Sequence, residues 1–376
     1  MVLLCIAFSS LGCFAQQNVH MPVPEKSPKV SGDTVVFTIS APADAEIKVS
    51  GAFSKRTPVK NFSDGVHSFM FTGVSPDLYD YWFEIDGVKV LDPSNPYVAR
   101  DIASLANIFI VPGEHSRFFE SKDVPHGTVS KVWYESELLG GKRRMTVYTP
   151  AGYEDSQESY PVFYLLHGMG GDEEAWQDLG RAIQILDNQI AAGLAKPMIV
   201  VMPNGNALRK AAPGFTADGM YIAEGQHSVD PERLFEKSFP EIMKFVEDRY
   251  RVLPGKENRA LAGLSMGGGH AWRISMDNPD SFDYVGLFSP AVRWNGGGVS
   301  EGNDPELSAK LVRQFENPPH KYLIAIGEDD FLLQLNDDYR ALLDSLHIPY
   351  EYKLSKGGHE WKNWRDYLVE FLPDLF

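Results

Sequence analysis

Gly263-Leu264-Ser265-Met266-Gly267 sets a serine between two glycines, after an apolar run and before a stretch able to continue as a helix. At a strand-to-helix turn such a serine presents its hydroxyl at the tip, and the glycines let neighbouring backbone approach where a Cβ would clash. The chemistry this suits is nucleophilic acyl transfer, which needs a base for the hydroxyl proton and an acid to orient the base. Both follow in chain order: Glu328-Asp329-Asp330 end the apolar run "KYLIAIG", and His359 comes after Gly357-Gly358, beyond "YEYKLS". In a chain with 33 glycines a lone G-x-S-x-G is a weak signal. The order serine, acid, histidine at the ends of successive apolar runs makes it a strong one.

The other histidines near these motifs read differently. His270 lies beyond Ser265 on the same helical run and faces away from the turn tip, so it is expected to be structural. His167 precedes Gly168 at the end of "YPVFYLL" and is expected in an oxyanion loop, not as the base. No H-E-x-x-H or comparable metal spacing occurs, so neither a metal nor a cofactor is expected.

Such side chains must be held by a sheet with strand ends on one edge. From Thr128 onward, two strands ("KVWYESELL", "RMTVYTP") precede apolar strands alternating with helical stretches: "YPVFYLL", "KPMIVVMP", "RALAG", "YVGLFSP", "KYLIAIG" and "YEYKLS". That alternation predicts a mostly parallel sheet covered on both faces, an α/β fold. Between Val30 and Val111 the texture is instead that of short β-rich runs broken by turn residues, including "TVVFTIS", "EIKVSGAF", "HSFMFTGV", "YDYWFEIDG" and "NIFIVPG". Their spacing predicts a small antiparallel sandwich. The expected organisation is a leader over 1–15, an all-β domain over 28–112, a charged linker over 113–126 and the α/β domain over 127–376.

Composition sets outer bounds. The formal net charge of −16 argues against a nucleic-acid partner or an anionic membrane surface, and suits a neutral or weakly charged ligand. "MVLLCIAFSSLGCFA" is too short to span a bilayer and ends in small residues, so it is read as a signal peptide cleaved before Gln16. Lipid attachment at Cys13 is the less favoured alternative. The only two cysteines, Cys5 and Cys13, lie in that leader, so the mature chain has no disulfide and no thiol nucleophile. An exported, disulfide-free chain fits a bacterial envelope or secreted protein.

"YLLHGMGGDEEAW", "GLSMGG", "IGEDDFL" and "GGHEWKNW", in that order, resemble carbohydrate esterase family 1 and the esterase-D-like branch of the α/β-hydrolases. The resemblance covers roughly 127–376 and implies Ser265 as nucleophile, His359 as base and Asp330 as acid, with Asp329 the alternative. It implies oxyanion donors in the backbone N–H groups of Met266 and Met169. Trp176, Trp294 and Trp361 stand near these motifs and either line a cleft for a phenolic acyl group or, as tryptophans in a hydrolase more often do, fill the core. The loop "NGNALRKAAPGFTADGMYIAEGQHS" is expected to rim that cleft.

"YDYWFEIDGVKVLDPSNPYV" resembles the immunoglobulin-like modules that precede glycogen-branching and starch-debranching enzymes. Trp82, the one tryptophan there, is expected by alternation to face the core. Together these resemblances imply a secreted serine esterase that removes feruloyl groups from a polysaccharide such as arabinoxylan. The alternatives are an acetylxylan esterase, a catecholate-trilactone (siderophore) esterase, or an inactive sugar-binding protein. The expected partners are feruloylated or acetylated polysaccharide or oligosaccharide, with no nucleic acid and no membrane span.

Overall fold

Val162–Leu166 is a run of five apolar residues, all buried, with Tyr164 on one face of the sheet and Phe163 and Leu165 on the other. A strand apolar on both faces must be covered by helices on both sides, and the chain supplies them. The structure, a computed structural model, describes residues 26–101, 104–217, 232–294, 297–299 and 304–376. The expected leader, with Cys5, Cys13 and Gln16, lies outside the described residues.

The first strands are β1 (Lys29–Ser31), β2 (Thr34–Ser40), β3 (Ile47–Gly51), β4 (Val59–Ser63), β5 (Val66–Phe71), β6 (Asp77–Ile85), β7 (Val88–Val90), β8 (Val98–Asp101) and β9 (Ser104–Val111). They form one antiparallel sheet in the order β1-β2-β5-β4 and another in the order β3-β6-β9-β8, with β7 paired to β6. Between the two sheets Phe37, Phe53, Phe69, Phe71, Tyr81, Phe83 and Phe109 build an aromatic core. Phe37 alone stands 4.6–5.7 Å, centroid to centroid, from four of those rings.

The remaining strands are β10 (Thr128–Ser136), β11 (Gly141–Thr149), β12 (Val162–Leu166), β13 (Ile199–Pro203), β14 (Arg259–Leu264), β15 (Tyr284–Phe288), the short pair β16 (Arg293–Trp294) and β17 (Gly297–Gly298), β18 (Lys321–Gly327) and β19 (Glu351–Ser355). Eight of them make a mixed sheet ordered β10-β11-β13-β12-β14-β15-β18-β19. The pairs β10/β11 and β11/β13 are antiparallel, and all pairs from β13 to β19 are parallel. This is an α/β-hydrolase-like sheet. The helices are α1 (Ala175–Asp178), α2 (Ala182–Ala191), α3 (Leu234–Arg249), α4 (Met266–Asp277), α5 (Pro305–Gln314), α6 (Leu333–Ser345) and α7 (Trp361–Phe371). Helices α3, α4 and α6 pack on one face, while α2 and α7 pack on the other. The chain leaves β12 toward β13 and then returns to β14 on the other side, so the order reverses at the β12/β14 crevice. In open parallel sheets that crevice, at the carboxyl ends of the strands, is where ligands bind.

Within residues 113–126, expected as a linker, the stretch around Ser116–Phe119 is packed although most of the segment is exposed. Phe118 and Phe119 are buried, Arg181 donates to the Phe119 carbonyl at 2.9 Å, and Asn188 donates to the carbonyls of Phe118 and Glu120 at 3.0 and 2.8 Å. The outer face of the β3-β6-β9-β8 sheet is covered as well. Leu78, Ala99 and Ile108 share a core cluster with Phe119, Trp176 and Phe288. Asp77 fixes the seam: its carboxylate lies 2.8 Å from Lys362 Nζ and 3.5 Å from Arg365 on α7, and the Arg365 guanidinium also donates to Leu78 O and Leu179 O, each at 3.1 Å. Both Asp77 and Arg365 are buried. Removing one member of a buried ion pair leaves an uncompensated charge, so Asp77→Ala is expected to cost about 3 kcal/mol of stability. The expected readout is a lower urea midpoint with an unchanged slope, and a midpoint equal to the parent's would show that the seam does not hold the two parts together.

Candidate active site

Strand β14 delivers Ser265 into a sharp turn at the start of α4. Its backbone takes φ 53° and ψ −116°, a left-handed region that a side-chain-bearing residue adopts only under constraint. The constraint is visible: Ser265 N donates to Phe288 O at 2.9 Å, while its carbonyl accepts from Gly269 N at 3.0 Å and Ala291 N at 2.9 Å. The flanking glycines are demanded by contact. A Cβ on Gly263 would stand 2.4 Å from Gly267 O, and one on Gly267 would stand 2.4 Å from His167 O.

Ser265 Oγ lies 2.9 Å from Nε2 of His359, whose Nδ1 lies 3.0 and 2.9 Å from the two carboxylate oxygens of Asp330. The acid comes from the end of β18, the histidine from the loop between β19 and α7, and the serine from the end of β14. The fold thus brings residues 265, 330 and 359 into one relay at the β-sheet's carboxyl edge. Asp330 is 4 % exposed, whereas Asp329 is exposed, and both carboxylate oxygens that meet the imidazole belong to Asp330. Burial pushes the Asp330 carboxyl up. Hydrogen bonds from His359, the Leu332 amide and Ser289 outweigh that and hold it below the usual carboxylate range. An ionised Asp330 keeps the Nδ1 proton on His359 and leaves Nε2 free to accept from the serine.

Ser289 had no sequence signal beyond its place at a strand end. It is buried at φ 43°, accepts from Trp364 Nε1 at 3.1 Å and donates to Asp330, so it ties α7 to the acid. Trp364 also meets the His359 ring edge-on, with centroids 4.9 Å apart, and Phe331 lies over that ring at 4.4 Å.

Met266 directly follows the serine, and Met169 sits on the loop that Gly168 brings against it. Met266 is the first residue of α4, where the helix dipole favours negative charge. Met169 follows Gly168, and a Cβ on Gly168 would come within 3.3 Å of Ser265 Cβ, so this loop lies against the serine. His167 and His270 are both buried and neither is a member of the relay; His167 lies beside the serine turn, and His270 pairs with Glu236 of α3 at 3.1 Å.

The three tryptophans separate. Trp176 is 1 % exposed and donates to Leu166 O at 2.9 Å, so it belongs to the core and does not line a cleft. It supports Trp361 edge-on at 5.3 Å. Trp361 is half-buried and lines a cavity of about 1000 Å³ that reaches His359. The side chain of Trp294 lies outside the described residues. So does 218–231, which holds part of the loop expected to rim the site.

The far wall of the cavity comes from the front sheet: Tyr79, Asp80, Trp82, Asp101 and Ala106 stand opposite Trp361, Lys362 and Arg365. Trp82 therefore corrects the alternation reading. Tyr81 and Phe83 fill the aromatic core, and Trp82 points the other way, toward the cavity, with Lys89 Nζ 4.1 Å from its ring centroid.

Residues 136–375 match the model of a family described as "Putative esterase", a span well over half the chain, and the chain belongs to this esterase family. It is 30 % identical over 350 residues to an endo-1,4-beta-xylanase/feruloyl esterase of Xylanibacter ruminicola, covering 90 % of this chain and 44 % of that protein. It is 26 % identical over 278 residues to an endo-1,4-beta-xylanase of Acetivibrio thermocellus, covering 66 % and 23 %. The chain thus spans less than half the length of these curated relatives. Among solved structures, a ferulic acid esterase of Anaeromyces mucronatus in complex with ferulic acid aligns with TM-score 0.56 at 27 % identity, over 68 % of this chain and 93 % of that one. The enterobactin esterase of Shigella flexneri aligns with TM-score 0.61 at 17 % identity over 91 % of this chain and 92 % of that one, a likeness of fold.

Ser265→Ala is expected to abolish ester cleavage with thermal unfolding unchanged, since losing a triad member removes several powers of ten in rate. Asp330→Asn is expected to lower kcat by about 10⁴ through the wrong His359 tautomer. Asp329→Asn is expected to stay near the parent, and steady-state rates showing the reverse order would move the acid to Asp329.

Proposed function

We propose that this esterase-family chain is a secreted serine carboxylic-ester hydrolase that removes feruloyl groups from a neutral plant polysaccharide such as arabinoxylan, with acetylated xylan as second choice. The observation that carries this reading is the Ser265–His359–Asp330 relay, whose His359 also lines a cavity walled by the front sheet and Trp361.

In the proposed cycle Ser265 Oγ attacks the ester carbonyl while His359 Nε2 takes the hydroxyl proton. The N–H groups of Met169 and Met266 receive the developing oxyanion. Collapse of the tetrahedral intermediate expels the sugar hydroxyl, protonated by His359, and leaves an acyl-enzyme. A water, deprotonated by His359, then releases the acid and restores the serine.

Two features of the surroundings favour an aromatic acyl group on a neutral sugar. Phe331, 75 % accessible, lies 4.4 Å from the His359 ring, and Met169, 64 % accessible, is on the loop against Ser265, so both offer exposed apolar surface suited to a phenolic ring. The cavity carries Asp77, Asp80, Asp101 and Glu360 against Lys362 and Arg365, and Asp77 already occupies both cations. The surplus of carboxylates repels an anionic catecholate and tolerates neutral sugar hydroxyls, which argues against the trilactone reading despite the fold likeness. The hydrogen-bonded relay argues against an inactive sugar-binding protein. Export by the first fifteen residues is part of the proposal. Among the described residues no helix is long and apolar enough to cross a membrane.

Turnover of methyl ferulate, acetylated xylan and a catecholate trilactone should rank in that order, and faster cleavage of the trilactone would overturn the substrate reading. Trp82→Ala is expected to lower kcat/KM for a feruloylated trisaccharide about tenfold, the worth of one aromatic contact of about 1.4 kcal/mol. Methyl ferulate, which lacks the sugar, should be cleaved at the parental rate. Equal losses on both substrates would remove the front sheet from sugar recognition.

A further inference from the structure

His167 is buried beside the serine and takes no part in the relay, yet both of its ring nitrogens are committed. Gly205 N lies 2.8 Å from Nε2. A backbone N–H can only donate, so Nε2 is an acceptor and the ring proton sits on Nδ1. Nδ1 in turn lies 2.7 Å from the carbonyl oxygen of Gly168, to which it donates. That carbonyl belongs to the Gly168–Met169 peptide, whose N–H is the expected oxyanion donor. In a trans peptide the C=O and N–H point in opposite directions. Whatever holds the Gly168 oxygen therefore decides where the Met169 N–H aims.

We propose that His167 is the positioning residue of the oxyanion hole: its Nδ1–H holds the Gly168 carbonyl and thereby aims the Met169 N–H at the oxyanion formed on Ser265. This rests on the acyl-transfer reading above. The same carbonyl accepts from Gly171 N at 3.1 Å, closing a tight turn in which Gly170 takes φ 81°. The turn bond alone is internal to the loop. It sets the peptide's orientation within the turn but not relative to the serine. His167 supplies that second reference, because its main-chain oxygen packs where a Cβ on Gly267 would stand, 2.4 Å away, and its Nε2 is anchored to the loop after β13.

That anchor is itself built. Asn204, next to Gly205, donates to Glu173 at 2.9 Å, and Glu173 accepts from Arg144 at 3.2 Å and from Ala212 N at 3.0 Å. Arg143 donates to the carbonyls of Asn204, Asn206, Ala207 and Arg209, closing the loop around one buried guanidinium. Burial depresses the His167 imidazole to about 4, with the Gly168 bond opposing the shift only in part. At neutral pH the ring is then uncharged, with one donor and one acceptor.

The test uses three substitutions in the full chain. Asn places an amide donor near the position of Nδ1, Gln places one near Nε2, and Ala removes both. With active serine counted by the burst from p-nitrophenyl acetate, His167→Ala and His167→Gln are expected to lose about tenfold to a hundredfold in kcat with little change in KM, at or below the effect of deleting one oxyanion donor. His167→Asn is expected to stay within a few-fold of the parent. Affinity for phenylboronic acid, whose tetrahedral adduct places an oxygen in the hole, should fall in step with kcat, while affinity for the product acid stays unchanged. Parental kcat in the Ala and Gln variants, or equal losses in all three variants carried by KM, would overturn the proposal. Should the Ala variant fail to fold, the Asn-against-Gln contrast decides alone. Absence of any p-nitrophenyl acetate cleavage by the parent chain would instead overturn the acyl-transfer reading, and this assignment with it.

Discussion

The backbone of Ser265 is held in a conformation that costs roughly 1–3 kcal/mol for a residue with a side chain, and much of the surrounding architecture serves to hold it. Three main-chain hydrogen bonds pin it from both sides. The glycines around it exist because neighbouring backbone comes too close for any Cβ. Strand β12 must lie beside β14 for the His-Gly loop to reach the serine, and β18 and β19 must follow in order for acid and base to reach it from the other side. A parallel sheet whose order reverses between β12 and β14 satisfies all of these demands with strand ends alone.

A second constraint acts from outside this sheet. Helix α7 begins just after His359, and its side chains face two ways: Trp364 bonds through Ser289 to the acid, while Lys362 and Arg365 meet Asp77 of the front sheet. The front sheet is thereby coupled to the segment that carries the base. The cavity between them belongs to neither part alone. One wall is made by β6, β8 and β9, and the opposite wall by α7 and the residues just before it.

Much of this was legible in the residues. "TVVFTIS" is β2 from end to end, and the apolar runs of the second half fall on β12 to β15, β18 and β19. Apolar strands between helices leave the pattern little freedom, and a serine turn followed by an acid and a histidine needs only the order of elements to be located. What escaped has a common cause. In "YDYWFEI" aromatic residues occupy both parities, so alternation turned Trp82 inward, whereas Tyr81 and Phe83 fill the core and Trp82 points outward. Trp176 sits close to a motif in sequence, but its burial depends on Trp361 and Phe288, which arrive from far along the chain. The edge strand β4, "VKNFS", is exposed at every position and carries no burial pattern to read. Asp77–Arg365 and Arg143 with its four carbonyls join residues about 60 to 290 positions apart, and no local spacing announces such pairs.

The packed seam has a consequence for how such chains can be recombined. A crossover placed at residue 112, where the sequence texture changes, would separate Asp77 from Arg365 and Lys362, and Arg100 from its carboxylate partner Asp172 at 2.6 Å. A foreign β-module grafted there would meet an unneutralised guanidinium and bare apolar rings in place of a blank surface. The heritable unit is therefore not the module that the change of texture outlines, but that module together with the face of α7 and the loop before α1. Grafts that carry both halves of these contacts preserve the wall opposite Trp361, and grafts that carry one half lose it.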